Sequence, residues 1–293
     1  MSSEAPAGVA ARRFDDPARF LAHMAPLVAG AEARHNLILG LAGTLMADPT
    51  AYPEYRLWAV DRHGLPVAAA LRTLDFQVVL ADLTDRGAAA ALAELVAAEA
   101  PDAPGVVGNR PSVQWFAQEW SRLTGSRPAV NRDQGVFALD AVADMSGAEG
   151  APRTATPGDR DLLVEWITAF ADEATPGDPA VARLRSTVDR RLAGPPEQSG
   201  FWLWEAGGEP VSLTGHSGPT GSGIRIGPVY TPPSYRRRGY ATALVAAHSA
   251  RLLERGYRFC FLYTDLGNPT SNAIYRSIGY RQVAESTEYR FVT

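Results

Sequence analysis

The sequence predicts an α+β protein built from two successive copies of one arrangement of helices and strands. In both halves of the 293-residue chain, two helical patterns come first, and strands, a helix, a strand and another helix follow. A stretch of Ala, Gly, Ser and acidic residues without apolar periodicity separates the halves at about residues 140–152. Hydrophobic residues make up 46% of the chain, enough for each half to build a core. No residue-level repeat is visible, so the duplication rests on element order alone.

The first half begins with two amphipathic patterns and ends on a strand. Helices are predicted at about residues 17–28, 32–46, 88–98 and 113–124. Strands are predicted at about residues 56–61, 67–74, 78–83, 106–107 and 135–139. The dipeptide His63-Gly64 supplies the turn between the first two strands.

The second half repeats this order and adds a terminal hairpin. Helices are predicted at about residues 156–173, 181–192, 238–254 and 270–277. Strands are predicted at about residues 201–205, 211–216, 224–230 and 258–264, with a hairpin of 281–284 and 288–292. We therefore expect a first domain at 1–140, a linker at 141–152 and a second domain at 153–293.

Composition excludes several classes of function. The formal net charge of −4 gives no electrostatic reason to expect nucleic acid or an anionic membrane as a partner. All 28 basic residues are Arg, so Schiff-base and other lysine chemistry is excluded. Cys260 is the only cysteine, which rules out an intramolecular disulfide, and its apolar surroundings favour a small buried hydrophobe over a catalytic thiol.

The chain carries no sign of export or membrane insertion. Residues 1–6 lack the basic and apolar regions of a secretory signal. No run of 18 or more apolar residues occurs, so no segment is expected to span a membrane. We expect a cytoplasmic protein, a monomer or a homodimer.

The most informative segment joins a predicted strand to a predicted helix. After Thr231 and two prolines come Arg236, Arg237, Arg238, Gly239, Tyr240, Ala241 and Thr242. The free N–H groups and the dipole at the start of a helix favour a bound anion, and glycine lets a phosphate approach closely. The arginines add positive charge suited to phosphate oxygens. A basic surface loop before an ordinary helix would show the same residues, so this segment alone decides nothing.

In its context, this segment resembles the loop of the GCN5-related N-acetyltransferase (GNAT) superfamily. The signature of that loop is Arg or Gln, two residues, Gly, one residue, then Gly or Ala, and Arg236, Gly239 and Ala241 fill it. The resemblance covers about residues 153–293. It implies a mixed, mostly antiparallel sheet flanked by helices, and acetyl-CoA as co-substrate. It also implies that backbone groups of Val229, Tyr230 and Thr231 pair with the pantetheine arm and that N–H groups of residues 237–242 bind the pyrophosphate.

A second signature lies downstream, where Asn268, Asn272 and Tyr275 occur in and before a short helix. Asn272 and Tyr275 are three residues apart and therefore share a helix face. The resemblance implies that Tyr275 protonates the departing CoA thiolate and that the asparagines contact CoA. A tyrosine hydroxyl has an acidity near enough to that of a thiol for this role. The alternatives are a core tyrosine for Tyr275 and a turn residue for Asn268.

The base that would deprotonate an acceptor amine is harder to predict. Some family members carry a Glu on the strand before the loop, but residues 224–230 contain no carboxylate. His216 is the best titratable candidate, with Glu205 and Asp265 as weaker ones. Water, or an acceptor that arrives neutral, would need no base. Trp202 and Trp204 share a strand face, which favours core packing over a substrate platform.

The first half lacks the phosphate loop. Only residues 84–87 separate its strand from its helix, and Asp85 places a repelling charge there. Asn109 occupies a place like that of Asn268, but Trp115 and Phe116 follow where a tyrosine would be expected. The sequence therefore predicts a degenerate copy that no longer binds CoA, as in tandem members of the superfamily.

Two functions from different classes remain open. The first is an N-acetyltransferase in which an amine attacks acetyl-CoA directly in a ternary complex, with backbone N–H at Val229 or Tyr230 polarising the carbonyl. The second is a non-catalytic acyl-CoA sensor or scaffold, which the missing strand carboxylate supports. No metal is expected in either. The expected acceptor is a small-molecule or peptide amine, and transfer to a hydroxyl or from a longer acyl donor stays open.

Overall fold

A computed structural model describes residues 8–144, 147–174 and 183–292 of the chain. The helices are α1 Pro17–Val28, α2 Asn36–Ala47, α3 Arg86–Glu99, α4 Ser112–Thr124, α5 Arg160–Ala174, α6 Leu184–Ala193, α7 Tyr240–Glu254 and α8 Pro269–Ile278. The strands are β1 Val9–Phe14, β2 Tyr55–Arg62, β3 Leu65–Thr73, β4 Val78–Leu80, β5 Gly105–Asn109, β6 Arg127–Leu139, β7 Ala151–Thr154, β8 Gly200–Ala206, β9 Glu209–Ser217, β10 Gly223–Tyr230, β11 Phe259–Asp265 and β12 Arg281–Val292. Residues 1–6 and the predicted helix start at 181–182 lie outside the described residues.

The chain divides into two compact units. The first contains the chain up to Val136, residues 263–267 and the chain from Gln282 onward. The second contains residues 137–262 and 268–281. Of the helices in the described ranges, none is long and apolar enough to cross a membrane.

The sheet of the first unit is mixed and mostly antiparallel, as predicted. Its strand order is β1-β2-β3-β4-β5-β12-β6. Strands β1 to β4 pair antiparallel in sequence order, and β4 then pairs parallel with β5 through Val78–Val106 and Val79–Val107. A parallel pair needs a crossover connection, which α3 provides here.

Helices cover both faces of this sheet because side chains alternate along each strand. On one face, Trp58 and Val60 pack with buried side chains of α3 and α4, including Leu92 and Phe116. On the other face, the neighbouring Leu57 packs with buried side chains of α1 and α2. Each face thus removes its own apolar surface from water.

The terminal hairpin predicted for residues 281–292 is wrong, because β12 is one continuous strand. The prediction leaves residues 285–287, which are Glu, Ser and Thr, between the two strands. Ser286 and Thr287 are instead only 3% and 0% exposed, and they pair with Asn109 and Gly108 of β5. Tertiary hydrogen bonds satisfy both hydroxyls, since Ser286 donates to the Gly108 carbonyl and Thr287 donates to Asp133.

The second unit carries a similar mixed sheet in the order β11-β10-β9-β8-β7. Strands β7 to β10 pair antiparallel in sequence order, and β10 pairs parallel with β11. Helix α7 supplies the crossover between these two parallel strands.

Two faces of the second unit are again buried. Ile224, Ile226 and Cys260 pack with buried side chains of α7. On the opposite face, Phe201 and Leu213 pack with α5 and α6. Cys260 is fully buried, as its apolar surroundings predicted, and this burial raises the pKa of its thiol to about 12.

Two short strands escaped prediction. β1 precedes the first predicted helix, and β7 begins inside the polar stretch at about 140–152. Both are largely exposed and lack apolar alternation, so their sequences carry no strand signal. Pairing decides them: β7 lies along β8, and Arg153 of β7 forms ion pairs with Glu205 at 2.6 Å and Asp159 at 2.7 Å.

Candidate active site

The centre of the site is a strand that separates from its neighbour. Pairing of β10 with β11 covers residues 223–225 and goes no further in the described part of the chain. The register of β10 against β9 shifts between Ile226 and Val229, where Gly227 has a φ of 144°. Such a bulge bends a strand and interrupts its ladder. Backbone groups of residues 226–230 on the β11 side are therefore open to an added chain.

The loop that follows β10 is tied down by its first arginine. Arg236 Nε donates to the Thr231 carbonyl at 2.8 Å, and Nη2 lies 2.8 Å from both carboxylate oxygens of Glu173 on α5. The guanidinium also lies 5.7 Å from the ring centroid of Tyr230. The Arg236 side chain thus helps to shape the loop, and its contact with phosphate stays a prediction.

The start of α7 is left open. Gly239 occupies the capping position with a φ of 81°, and no side chain among the described residues caps the helix. Arg237, Arg238 and Gly239 are exposed. The N–H groups of the first helical turn, which a cap would otherwise occupy, thus remain available to an anion beside two exposed guanidiniums.

Tyr275 lies on α8 and faces the same core as the strand opening. Its ring and Val229 both pack against the cluster that contains Ile226 and Cys260. Tyr280 meets the Tyr275 ring edge-on at a centroid distance of 6.0 Å. Burial raises the pKa of the Tyr275 phenol to about 12, so the group stays protonated at neutral pH.

The two asparagines differ in their surroundings. Asn268 is exposed and caps α8, since its Oδ1 accepts a hydrogen bond from the Ser271 N–H at 3.1 Å. Asn272 is 4% exposed, one helical turn before Tyr275. Contact of the Asn268 and Asn272 amides with CoA stays a prediction.

His216 lies inside the second unit and is 2% exposed. Its Nε2 lies 3.0 Å from the Pro196 carbonyl and its Nδ1 lies 3.0 Å from Nε2 of His248. A carbonyl only accepts, so His216 carries its proton on Nε2 and accepts at Nδ1. Burial, and next the charge of Arg191, lower the pKa of His216 to about 4. The ring is therefore neutral at pH 7, with both nitrogens engaged.

The other candidate side chains have structural partners. Trp202 stacks on His248 at 4.9 Å, and Trp204 Nε1 donates to the Glu149 carbonyl at 2.9 Å. Glu205 pairs with Arg153. Asp265 belongs to the first unit, where its Oδ1 accepts from the Gly267 N–H.

Sequence reasoning missed two residues that shape the site. Glu173 anchors Arg236, although 63 residues separate them. Arg191 on α6 donates from Nη2 to the carbonyls of Gly200, His216 and Gly227, at 3.1, 2.8 and 3.2 Å. Neither contact leaves a local pattern. The only available signal was a basic residue in a helix with a buried face at Val188.

Comparison with known proteins agrees with this geometry. Residues 163–280 match the family model described as "Acetyltransferase (GNAT) family". The matched segment contains the bulged strand, the loop, α7 and Tyr275. No curated protein matches the sequence significantly.

Solved structures resemble the whole chain at low sequence identity. A GCN5-related N-acetyltransferase from Sphaerobacter thermophilus is 21% identical with a TM-score of 0.62, and the match covers 98% of this chain and 96% of that one. A tandem GNAT protein from the clavulanic acid biosynthesis pathway is 14% identical with a TM-score of 0.58, over 96% and 97% of the two chains. A Drosophila protein is 15% identical with a TM-score of 0.67, over 97% and 98%. These matches show a shared fold, and residues 163–280 are similar to the GNAT acetyltransferase family.

Proposed function

We propose that the protein is an acetyl-CoA-dependent N-acetyltransferase that moves an acetyl group to a small-molecule or peptide amine by direct attack in a ternary complex. The observation that supports this best is the continuity of the site: the open edge of β10 leads through a fixed loop into the uncapped N-terminus of α7. An extended thiol arm with a pyrophosphate at one end fits such a path.

The phosphate end of the co-substrate is assigned to the first turn of α7. N–H groups of Arg237, Arg238, Gly239, Tyr240, Ala241 and Thr242 would bind the pyrophosphate. The side chains of Arg237 and Arg238 are exposed and can add charge-assisted hydrogen bonds. Arg236 would act through the loop, because Glu173 and the Thr231 carbonyl already hold its guanidinium.

The pantetheine arm is assigned to the open edge of β10, along Val229, Tyr230 and Thr231. Added-strand recognition needs backbone groups that face no neighbour, and the bulge provides them. An N–H of Val229 or Tyr230 would then donate to the thioester carbonyl oxygen, where negative charge develops during attack.

In the transfer step, the amine nitrogen forms a bond with the carbonyl carbon and the carbon–sulfur bond breaks. The amine releases one proton and the thiolate takes up one, for which Tyr275 is the proposed donor. Burial raises the pKa of this phenol to about 12. A phenol and a thiol have neighbouring reference pKa values, about 10 and about 8.5, so a proton can pass from Tyr275 to the thiolate.

The role of His216 as the base stays a prediction. At its position, it would act through neighbouring groups and would not contact the amine. Its two hydrogen bonds and its burial leave no lone pair facing solvent. Water would then take the proton that the amine releases, and an amine that arrives neutral would need no base before the attack. The domain assignment, with 1–140 as a degenerate copy, 141–152 as a linker and 153–293 as the catalytic domain, also stays a prediction. β12, within that last range, pairs with β5.

The test is release of free CoA thiol from acetyl-CoA across amines, amino acids, polyamines, aminoglycosides and peptides. We expect turnover above the hydrolysis background with at least one acceptor. For Tyr275→Phe we expect only a small residual activity with that acceptor. A protein that acetyl-CoA stabilises against heat but that acetylates no acceptor would favour the sensor or scaffold instead. A protein that acetyl-CoA does not stabilise would contradict both.

A further inference from the structure

Two arginines in the second unit carry buried N–H groups without a counter-charge. Nε of Arg191 and Nη1 of Arg225 are shielded from solvent and have no hydrogen-bond partner among the described residues. Within those residues, neither guanidinium takes part in an ion pair. A buried cation without an anion is costly, because its lost hydration is not replaced.

Both arginines lie on the face of the sheet that packs with α5 and α6. Ile224 and Ile226 point into the opposite core, so strand alternation turns Arg225 toward α6. Arg191 extends from α6, one turn after the buried Val188, and its guanidinium lies 4.1 Å from the ring centroid of Phe201. Burial, and next the charge of Arg225, lower the pKa of Arg191 to about 9.

The nearest carboxylate on α6 is already paired elsewhere. Asp189 is exposed and lies 2.6 Å from Nε of Arg160 on α5. The hydrogen bonds of Arg191 go to three backbone carbonyls, which carry no net charge. The protein thus supplies geometry for this pair of cations but no anion.

The pair lies at the acceptor end of the proposed site. Arg191 touches the carbonyl of Gly227 in the bulge, and Arg225 lies two residues before it. At about 3.3 Å of rise per residue, Arg225 is roughly 16 Å along the strand from Tyr230, where the phosphate loop begins. The phosphates of CoA therefore lie on the far side of the bulge and cannot serve as the missing anion.

We propose that Arg191 and Arg225 bind a carboxylate of the acceptor, so that the preferred substrate is an amine that also carries an acidic group. Guanidinium and carboxylate match in geometry and charge, and a buried pair rejects analogues that leave its N–H groups unpaired. This inference rests on the proposed acetyltransfer and names the class of its acceptor.

Matched acceptor pairs that differ in one carboxylate test the proposal: tyrosine with tyramine, histidine with histamine, ornithine with putrescine. We expect the wild type to favour the acid of at least one pair by about 10- to 100-fold in kcat/KM, the value of one buried charge-assisted hydrogen bond. Arg225→Gln should remove this preference by lowering the rate with the acid alone, while acetyl-CoA affinity stays the same.

Arg185→Gln is the control, because it removes an exposed arginine from α6, the helix that carries Arg191. It should keep the preference for the acid. The proposal would be overturned if the wild type used the acid and the amine of every pair with equal kcat/KM. It would also be overturned if Arg225→Gln lowered kcat/KM equally for both. Either result would leave the proposed acetyltransfer intact.

If no acceptor turns over, acceptor binding can still test the carboxylate site independently of the proposed acetyltransfer. Thermal unfolding with CoA present and each of the six acceptors in turn then gives the answer. The carboxylate site is supported without catalysis if each acid raises the thermal midpoint more than its matching amine does. This difference should be lost in Arg225→Gln and kept in Arg185→Gln. Equal stabilisation by acid and amine overturns it.

Discussion

Each unit places a helix after a buried strand, and the two helix starts differ in how their N–H groups are used. In the first unit, Asp85 caps α3: its Oδ1 accepts from the Ala88 N–H at 2.9 Å and its Oδ2 lies 2.6 Å from Arg62. In the second unit, Gly239 stands in the same place before α7 and supplies no cap. By this comparison, the proposed anion site at α7 depends as much on omitting the protein's own carboxylate as on adding arginines.

The two units also differ in what lies beyond their parallel strand pairs, β4 with β5 and β10 with β11. Beyond β4, the carboxylate of Asp82 accepts from Arg34 Nε at 3.0 Å and from the Asn109 amide at 3.0 Å, and its backbone N–H donates to His35. The protein's own polar groups fill that space. Beyond the three pairs of β10 with β11, the register shifts at the bulge, where Arg191 Nη2 donates to the Gly227 carbonyl.

The largest effect is expected for Gly239→Glu. A glutamate at a φ of 81° is strained, and its carboxylate would enter the phosphate site, so acetyl-CoA affinity should fall on the order of 1,000-fold or more. Calorimetric titration measures this. Gly208→Glu is the matched control, since Gly208 has a φ of 82° in open space. It should lose stability alone, and a comparable loss of affinity there would remove the phosphate site from α7.

Tyr275→Phe should lower kcat by about 100-fold or more while leaving acetyl-CoA affinity nearly unchanged, because only the proton donor is lost. Tyr280→Phe removes a buried hydroxyl that bonds Ser249 and should cost stability but not turnover. Since the pKa of Tyr275 is about 12, kcat of the wild type should show no fall due to this group up to pH 10. Unchanged turnover in Tyr275→Phe would contradict its role.

Asp82→Asn should destabilise the first unit by about 2 kcal/mol at neutral pH, since it replaces a carboxylate that receives several hydrogen bonds. Burial alone would raise the pKa of Asp82, but His35, Asn109 and Arg34 together lower it to about 2. A lowered carboxyl pKa adds stability above about pH 4, which is lost as the pH falls toward 2. Thermal midpoints between pH 6 and pH 2 should fall less steeply in the variant. Parallel curves would contradict this account.

The smallest effect is expected for Asp85→Ala, which should lower stability by about 1 kcal/mol through the lost cap. It should not create acetyl-CoA binding in the first unit, because the short connection before α3 and the side chains of Asp82 and Asn109 remain. Hydrogen exchange of the α3 amides measures the first effect. Calorimetry of the double variant Asp85→Ala and Gly239→Glu measures whether the first unit binds acetyl-CoA. Binding by this double variant would show that the Asp85 carboxylate alone prevents binding in the first unit.

Much of the site was local in sequence. The segment 236–242 joins a strand that carries Ile224, Ile226 and Val229 to an amphipathic helix, so periodicity and glycine placement predicted its position. Burial of Cys260 and most helices followed from apolar patterns in the same way. The exposed strands β1 and β7 and the continuous β12 did not, because their pairing depends on strands far away in the chain.

By itself, the sequence determined the class of fold and the order of most elements, and it predicted the segment suited to a pyrophosphate. These depend on the local period of apolar residues and on the conformations that Gly and Pro allow, which neighbours along the chain fix. Only the tertiary structure decided that Arg236 binds Glu173, that His216 is enclosed with His248, and that Arg191 reaches the bulge at Gly227. Charge and hydrogen bonding act between groups brought together by folding, and sequence spacing carries no record of those distances.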